Sequence, residues 1–193
     1  MKTNWPEKVW VNSPVRLWVQ RREINFFESL TNLPESPSCL EIGCGRGAAI
    51  PLIKKMFKNA RVDAFDIDKD MVNLARKRQA GLVLVADAHD IPYPDNCIDA
   101  VFNFGIIHHL EDWEKGIEEI ARVLKDAGMF FFEEIFPPLY ANFIFKHILV
   151  HPRKNRFYSK EFHYALKNSG LDILPGYLEN RFRILGAAVK NIF

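Results

Sequence analysis

Residues 41 to 47 read EIGCGRG, an acid and three glycines at every second position, closing an apolar run that starts at Cys39. Glycines at 43, 45 and 47 let a backbone turn sharply and bring a ligand close to amides at the positive end of a following helix. Gly43, Gly45 and Ala48 also satisfy the dinucleotide fingerprint, whose last position accepts alanine. The phosphate loop that ends in Gly-Lys-Ser/Thr is absent, which removes nucleoside triphosphates from consideration. Two acids sharpen the pattern. Asp66 closes the run RVDAFD, where a carboxylate can accept hydrogen bonds from both hydroxyls of a ribose, while Asp68 is better placed to cap the next helix. Asp87 closes LVLVAD; there it can meet an exocyclic amine of adenine or bond its own backbone in a turn.

Such residues converge only if strand ends lie side by side, and the chain carries the elements for that. CLEIG, RVDAFDI, LVLVAD, CIDAVFNFG and GMFFFEEI read as strands, and RGAAIPLIKKMF, DKDMVNLARKRQ and DWEKGIEEIARVLK as the helices between them. Alternation of this kind implies a parallel sheet covered on both faces. Ser159 reads as the cap of a further helix through about Ser169, stopped by Gly170, and LDILPGYLEN and RFRILGAAVK as two last strands, seven in all. Ahead of them, Ser13 and Pro14 supply the cap and first turn of a helix reaching about Leu30. Residues 1–38 thus form an N-terminal helical appendage, residues 39–193 the main domain.

Composition narrows the partners. The 193 residues suffice for one hydrophobic core, and 26 basic against 24 acidic residues give a net charge of +2, too little to imply nucleic acid or an anionic membrane. Cys39, Cys44 and Cys97 show no CxxC spacing and suit reduced thiols. No stretch of 18 uninterrupted apolar residues occurs and MKTNWPEKVW lacks a secretory core, so a soluble cytoplasmic protein is expected. His147 and His151 have helical spacing for a metal but no clear third ligand, so no metal site is expected. Oligomeric state is not legible.

With EIGCGRG, FDID, VADAHDIPYPDNCIDAV, GIIHHLED, ARVLKDAG and FFFEEI in this order, residues 39 to 170 resemble the class I S-adenosylmethionine-dependent methyltransferases, close to their small-molecule, UbiE-like branch. The resemblance implies a Rossmann-like, mostly parallel seven-stranded sheet with the last strand antiparallel. It further implies S-adenosylmethionine as cofactor and S-adenosylhomocysteine as product. Carried over by position, Glu41 and Gly43 to Gly47, with Cys44 among them, line the methionyl and ribose side. Asp66 then holds the ribose with Ile67 against adenine, Asp87 and Ala88 contact the adenine edge, and Asn103, Phe104 and Gly105 contact the methionine. Short-chain dehydrogenases of similar architecture resemble one another in a TyrxxxLys pair, and none of the five tyrosines here has a lysine four residues on.

Methyl transfer needs in-line approach, with a base where the acceptor must lose a proton. His109, in the loop after the fourth strand, is one candidate, although a histidine there can also pack or cap the next helix; its neighbour His108 should point elsewhere. Glu133, with Glu134 beside it at the end of the fifth strand, is the other. LYANFIFKHILVH is apolar and aromatic, and residues 137–158 read either as a lid over an apolar acceptor pocket, together with Trp5, Trp10 and Trp18, or as core packing. The expected acceptor is a small apolar or aromatic molecule. The alternatives are a nucleic-acid methyltransferase, against which stands the absence of an Asn/Asp-Pro-Pro-aromatic stretch after the fourth strand, and a catalytically silent cofactor-binding module.

Overall fold

The structure is a computed structural model and describes residues 13–30, 33–78, 81–140 and 155–192. Helix α1 (Pro14–Glu28) begins at Ser13, whose Oγ accepts from the Arg16 amide at 3.1 Å. β1 (Ser38–Ile42), α2 (Ile50–Met56), β2 (Arg61–Asp66), α3 (Lys69–Ala75), β3 (Val83–Val85), β4 (Ile98–Phe104), α4 (Trp113–Val123) and β5 (Leu124–Ile135) then alternate. The short helix α5 (Pro137–Tyr140), α6 (Ser159–Asn168) and strands β6 (Leu171–Ile173), β7 (Leu178–Asn180) and β8 (Arg183–Lys190) complete the described chain. Asp68 and Asp112 cap α3 and α4 through bonds from Asp70 N at 2.9 Å and Lys115 N at 3.3 Å. α6 corrects the expected cap: the cap residue is Tyr158, not Ser159, and the Glu161 carboxylate reaches back to its amide at 3.0 Å.

One sheet runs in the order β3-β2-β1-β4-β5-β8-β6, with β7 also paired to β8. It has eight strands rather than seven, because Pro175 and Gly176 break the expected LDILPGYLEN strand into β6 and β7, which pair with opposite ends of β8. β8 is antiparallel to β5, β6 and β7, so only the last strand runs against the rest. The core has two layers. On one face Ile24 and Phe27 of α1 pack with Ile50, Ile53, Val72 and Ala75 against Phe102 and Phe131. On the other, Trp113, Ile117 and Ile120 of α4 and Phe162 and Leu166 of α6 cover Phe130 and Phe132. α1 therefore belongs to the first layer of the fold, with Phe27 fully buried 5.2 Å from the Phe131 ring.

Register fixes which residues meet at the carboxyl edge. Ile42 lies opposite Phe65 on one side and Asn103 on the other, and Phe104 lies opposite Glu133. Asp66, the glycine loop, Phe104 and Glu133 thus end their strands in one neighbourhood.

Candidate active site

The glycine loop is tied to the strand beside it. Asp66 accepts from Gly45 N through Oδ2 and from Asp68 N through Oδ1, both at 2.8 Å, and Phe65 O accepts from Cys44 N at 2.9 Å. Burial raises the Asp66 carboxyl and these amides partly offset it. Gly43 (φ +62°) packs so tightly that a Cβ would lie 2.3 Å from Ile106 Cγ2. Gly45 (φ +52°) has nothing within 4 Å of the same position, so the loop opens there. Beyond Asp66, Ile67 leaves its apolar side chain 42% exposed. At the end of β3 the Asp87 carboxylate takes the amide of His89 at 3.0 Å and its Nδ1 at 2.6 Å, both on Oδ1. Burial would raise its pKa, but the His89 bonds hold it below the usual value. Asp87 is thus a turn aspartate with its second oxygen outside those two bonds, and Ala88 behind it is buried.

The two glutamates of β5 face opposite layers. Glu134 is fully buried, accepts from Asn103 Nδ2 at 2.7 Å, Ile107 N at 2.8 Å and His108 N at 3.3 Å, and shares a hydrogen bond with His108 Nδ1 at 2.5 Å. Burial disfavours charge on both partners, pushing Glu134 up to about 7 and His108 down to about 3, so His108 is neutral and the pair is joined through a single proton. Glu134 therefore holds the turn after β4, and His108 indeed points inward. Asn103 belongs to the same clamp: its Oδ1 accepts from Ile106 N at 3.0 Å, and its side chain shapes the loop from beneath. His109 is half-buried with its ring 4.3 Å from that of His108. The Phe104 ring lies 6.0 Å from that of Phe27.

Glu133 faces α1, in a cluster that the reading of residues 1–38 as an appendage did not anticipate. Arg16 Nη1 donates to both Glu23 oxygens at 3.0 and 2.8 Å, while Nη2 approaches Phe104 O at 3.4 Å and Glu133 Oε2 at 3.6 Å. Arg16, Gln20, Glu23, Glu41 and Glu133 are all buried. Burial raises the Glu133 carboxyl well above its ordinary range, with Glu23 adding to the rise and Arg16 opposing it. Glu41 also rises to about 8, through burial and then Asp66, again opposed by Arg16. Burial likewise raises the Cys44 thiol. The sequence signal was the spacing 16, 20, 23 and 27, one face of a helix that begins polar and ends at Phe27.

Residues 40–132 match the family model described as a methyltransferase domain. A fatty-acid O-methyltransferase of Mycolicibacterium smegmatis is 35% identical over 106 residues, 53% of this chain and 39% of that protein. A demethylmenaquinone methyltransferase of Bacillus licheniformis is 25% identical over 181 residues, covering 84% of this chain and 75% of its own length. A crystal structure of a SAM-dependent methyltransferase from Aquifex aeolicus superposes with a TM-score of 0.73 at 21% identity, covering 97% of this chain and 99% of that one. The chain carries a class I S-adenosylmethionine-dependent methyltransferase domain. It spans about two fifths of the length of the first curated relatives it matches.

S-adenosylmethionine is the cofactor of this class, and the residues of the methyltransferase domain fit it. Glu41 Oε2 and Gln20 Oε1 are buried without a hydrogen-bond partner among the described residues, a cost that a ligand with ammonium donors removes. The acids outnumber the guanidinium around them, which suits a cationic ligand.

Other expected features divide. Trp18 is 56% exposed, with the Arg22 guanidinium 4.5 Å from its ring centre. Tyr140 is buried and stacks on His108 at 5.6 Å. Trp5, Trp10, Phe143, Ile144, His147, Ile148 and His151 lie outside the described residues. Among the described residues no helix is long and apolar enough to cross a membrane, and no cluster of three metal-ligating side chains occurs.

Proposed function

We propose that the domain transfers a methyl group from S-adenosylmethionine to a small apolar or aromatic acceptor in the cytoplasm. The observation that carries this reading is the meeting of Asp66, the open Gly45 turn and the unpartnered Glu41 oxygen at one strand edge. Asp66 holds the ribose hydroxyls, with Ile67 against the adenine face and Asp87 and Ala88 at its edge. Glu41, Gly43, Cys44, Gly45 and Gly47 line the methionyl side, with the Phe104 and Gly105 backbone closing it. Bound there, the cofactor supplies an electrophilic methyl group on a sulfonium.

On the acceptor side, an open groove of about 410 Å³ lies past the end of β5, lined by Phe136, Pro138, Tyr158, Ser159, Glu179, Asn180 and Arg181. Its apolar floor suits a hydrophobic molecule, and Arg181 suits an acidic group on it. The relatives named as fatty-acid and demethylmenaquinone methyltransferases support an apolar acceptor. His109 takes the acceptor proton on its imidazole; Glu133, turned into the Arg16 cluster, is the weaker candidate. Orientation and exclusion of water supply most of the acceleration.

The test is incubation with methyl-labelled cofactor and fractionated small molecules, lipids included. A labelled apolar product is the expected result. Label only in RNA, or in nothing while the cofactor binds, would overturn it in favour of a nucleic-acid enzyme or a silent binding module.

A further inference from the structure

We propose that Arg16 of α1 receives the carboxylate of the cofactor's methionyl end, while Gln20 and Glu41 take the adjacent ammonium. This rests on the reading of the site as an S-adenosylmethionine pocket and makes α1 one of its walls.

Four observations carry it. A helix that only packs against a sheet buries apolar side chains, yet α1 buries Arg16, Gln20 and Glu23 on the face that continues into Ile24 and Phe27. That face reaches the carboxyl edge, because Arg16 Nη2 lies 3.4 Å from Phe104 O, the last residue of β4. The guanidinium is also unevenly used. Nη1 is committed to Glu23 at 2.8 and 3.0 Å, whereas both contacts of Nη2 exceed the 2.7–2.9 Å typical of a charge-assisted bond. Glu23 thus positions Arg16 and leaves Nη2 aimed at the strand edge. Finally, Gln20 Oε1 and Glu41 Oε2 are acceptors with no donor among the described residues, and Arg16 is close enough to Glu41 to lower its pKa. Donors and acceptors left over in this corner match one amino acid: a carboxylate for the guanidinium and an ammonium for the two acceptors.

The geometry also orders the ligand along the edge. β1 lies between β2 and β4, with Ile42 opposite Phe65 on one side and Asn103 on the other, and Arg16 Nη2 stands at the end of β4. A nucleoside held by its sugar at Asp66 therefore extends its amino-acid tail across β1 toward β4 and α1.

Calorimetry on the full chain with S-adenosylhomocysteine and with 5′-methylthioadenosine, which keeps the nucleoside and thioether but lacks the amino-acid end, tests this. Arg16→Gln should weaken S-adenosylhomocysteine by about ten- to a hundred-fold and leave 5′-methylthioadenosine unchanged. Arg16→Lys should recover part of the loss. Equal weakening of both ligands, or of neither, would overturn the proposal, since a merely structural arginine cannot distinguish them. If the variants fail to fold, decarboxylated S-adenosylmethionine on the unmodified protein decides: at least about ten-fold weaker binding than the parent compound supports the pairing, and equal binding refutes it. Should the unmodified protein bind neither S-adenosylmethionine nor S-adenosylhomocysteine, the cofactor reading itself fails, an outcome distinct from both.

Discussion

Asp66 works with one carboxylate on two sides. Each oxygen accepts one amide of the chain, and an ionised carboxylate has about four acceptor sites, so the positions facing away from the loop remain for sugar hydroxyls. Asp66→Asn keeps the shape but halves the acceptors; cofactor affinity in a calorimeter should fall by about ten- to a hundred-fold. Unchanged affinity would remove Asp66 from the sugar site. Neighbouring glycines separate folding from binding. At Gly43 an added methyl meets Ile106 at 2.3 Å, so Gly43→Ala should lower unfolding stability by about 1–3 kcal/mol in urea titration. At Gly45 an added methyl meets open space, which is where the proposed site puts the ligand, so Gly45→Ala should cost about 1–2 kcal/mol of backbone strain and abolish measurable cofactor binding. Full binding by Gly45→Ala would show that the ligand lies elsewhere.

At the scale of elements, α1 is held by Phe27, which is buried among Phe102, Phe104 and Phe131 at 6.4, 6.0 and 5.2 Å. Truncation to Ala opens a cavity there, so Phe27→Ala should lose about 3–5 kcal/mol in denaturant unfolding. A loss below about 1 kcal/mol would return α1 to the status of an appendage. The spacing of residues made the parallel half of the sheet readable, since strand runs with buried helices between them leave a strong periodic pattern from β1 to β5. The Asp66 and glycine pair was readable for the same reason, as both end such runs. Two things were not. LDILPGYLEN is apolar enough for one strand, but Gly176 at φ +96° turns the chain there, a choice made by pairing with the two ends of β8. Arg16 meets Phe104 and Glu133 only through the packing of α1, across separations of 88 residues or more that no local spacing records. Glu133 and Glu134 looked alike in sequence, and the pleat sends one to α1 and the other to His108.

For the whole molecule, the buried acids set a pH dependence whose sign follows from linkage. Burial holds Glu41 at about 8 and Glu134 at about 7, and raises Glu133 as well, against an ordinary 4.5, so the folded state holds protons that the unfolded chain has released. The stability they contribute is complete below about 4.5 and is lost as pH rises through about 8. His108 has the opposite sign: pushed down from 6.5 to about 3, it favours unfolding only where the unfolded chain takes up the proton, below 6.5. Between pH 6.5 and 8 the raised carboxylates outweigh His108, and the melting temperature without ligand should fall as pH rises across that window. A cation beside Glu41 favours the ionised carboxylate and reverses this contribution, because binding then releases the proton. The increase in melting temperature from saturating S-adenosylmethionine should therefore be larger at pH 8 than at pH 6.5, as read by scanning fluorimetry in matched ionic strength. An increase that shrinks with rising pH would mean that the sulfonium and ammonium charges lie away from Glu41 and Glu133, and that these acids serve the fold alone.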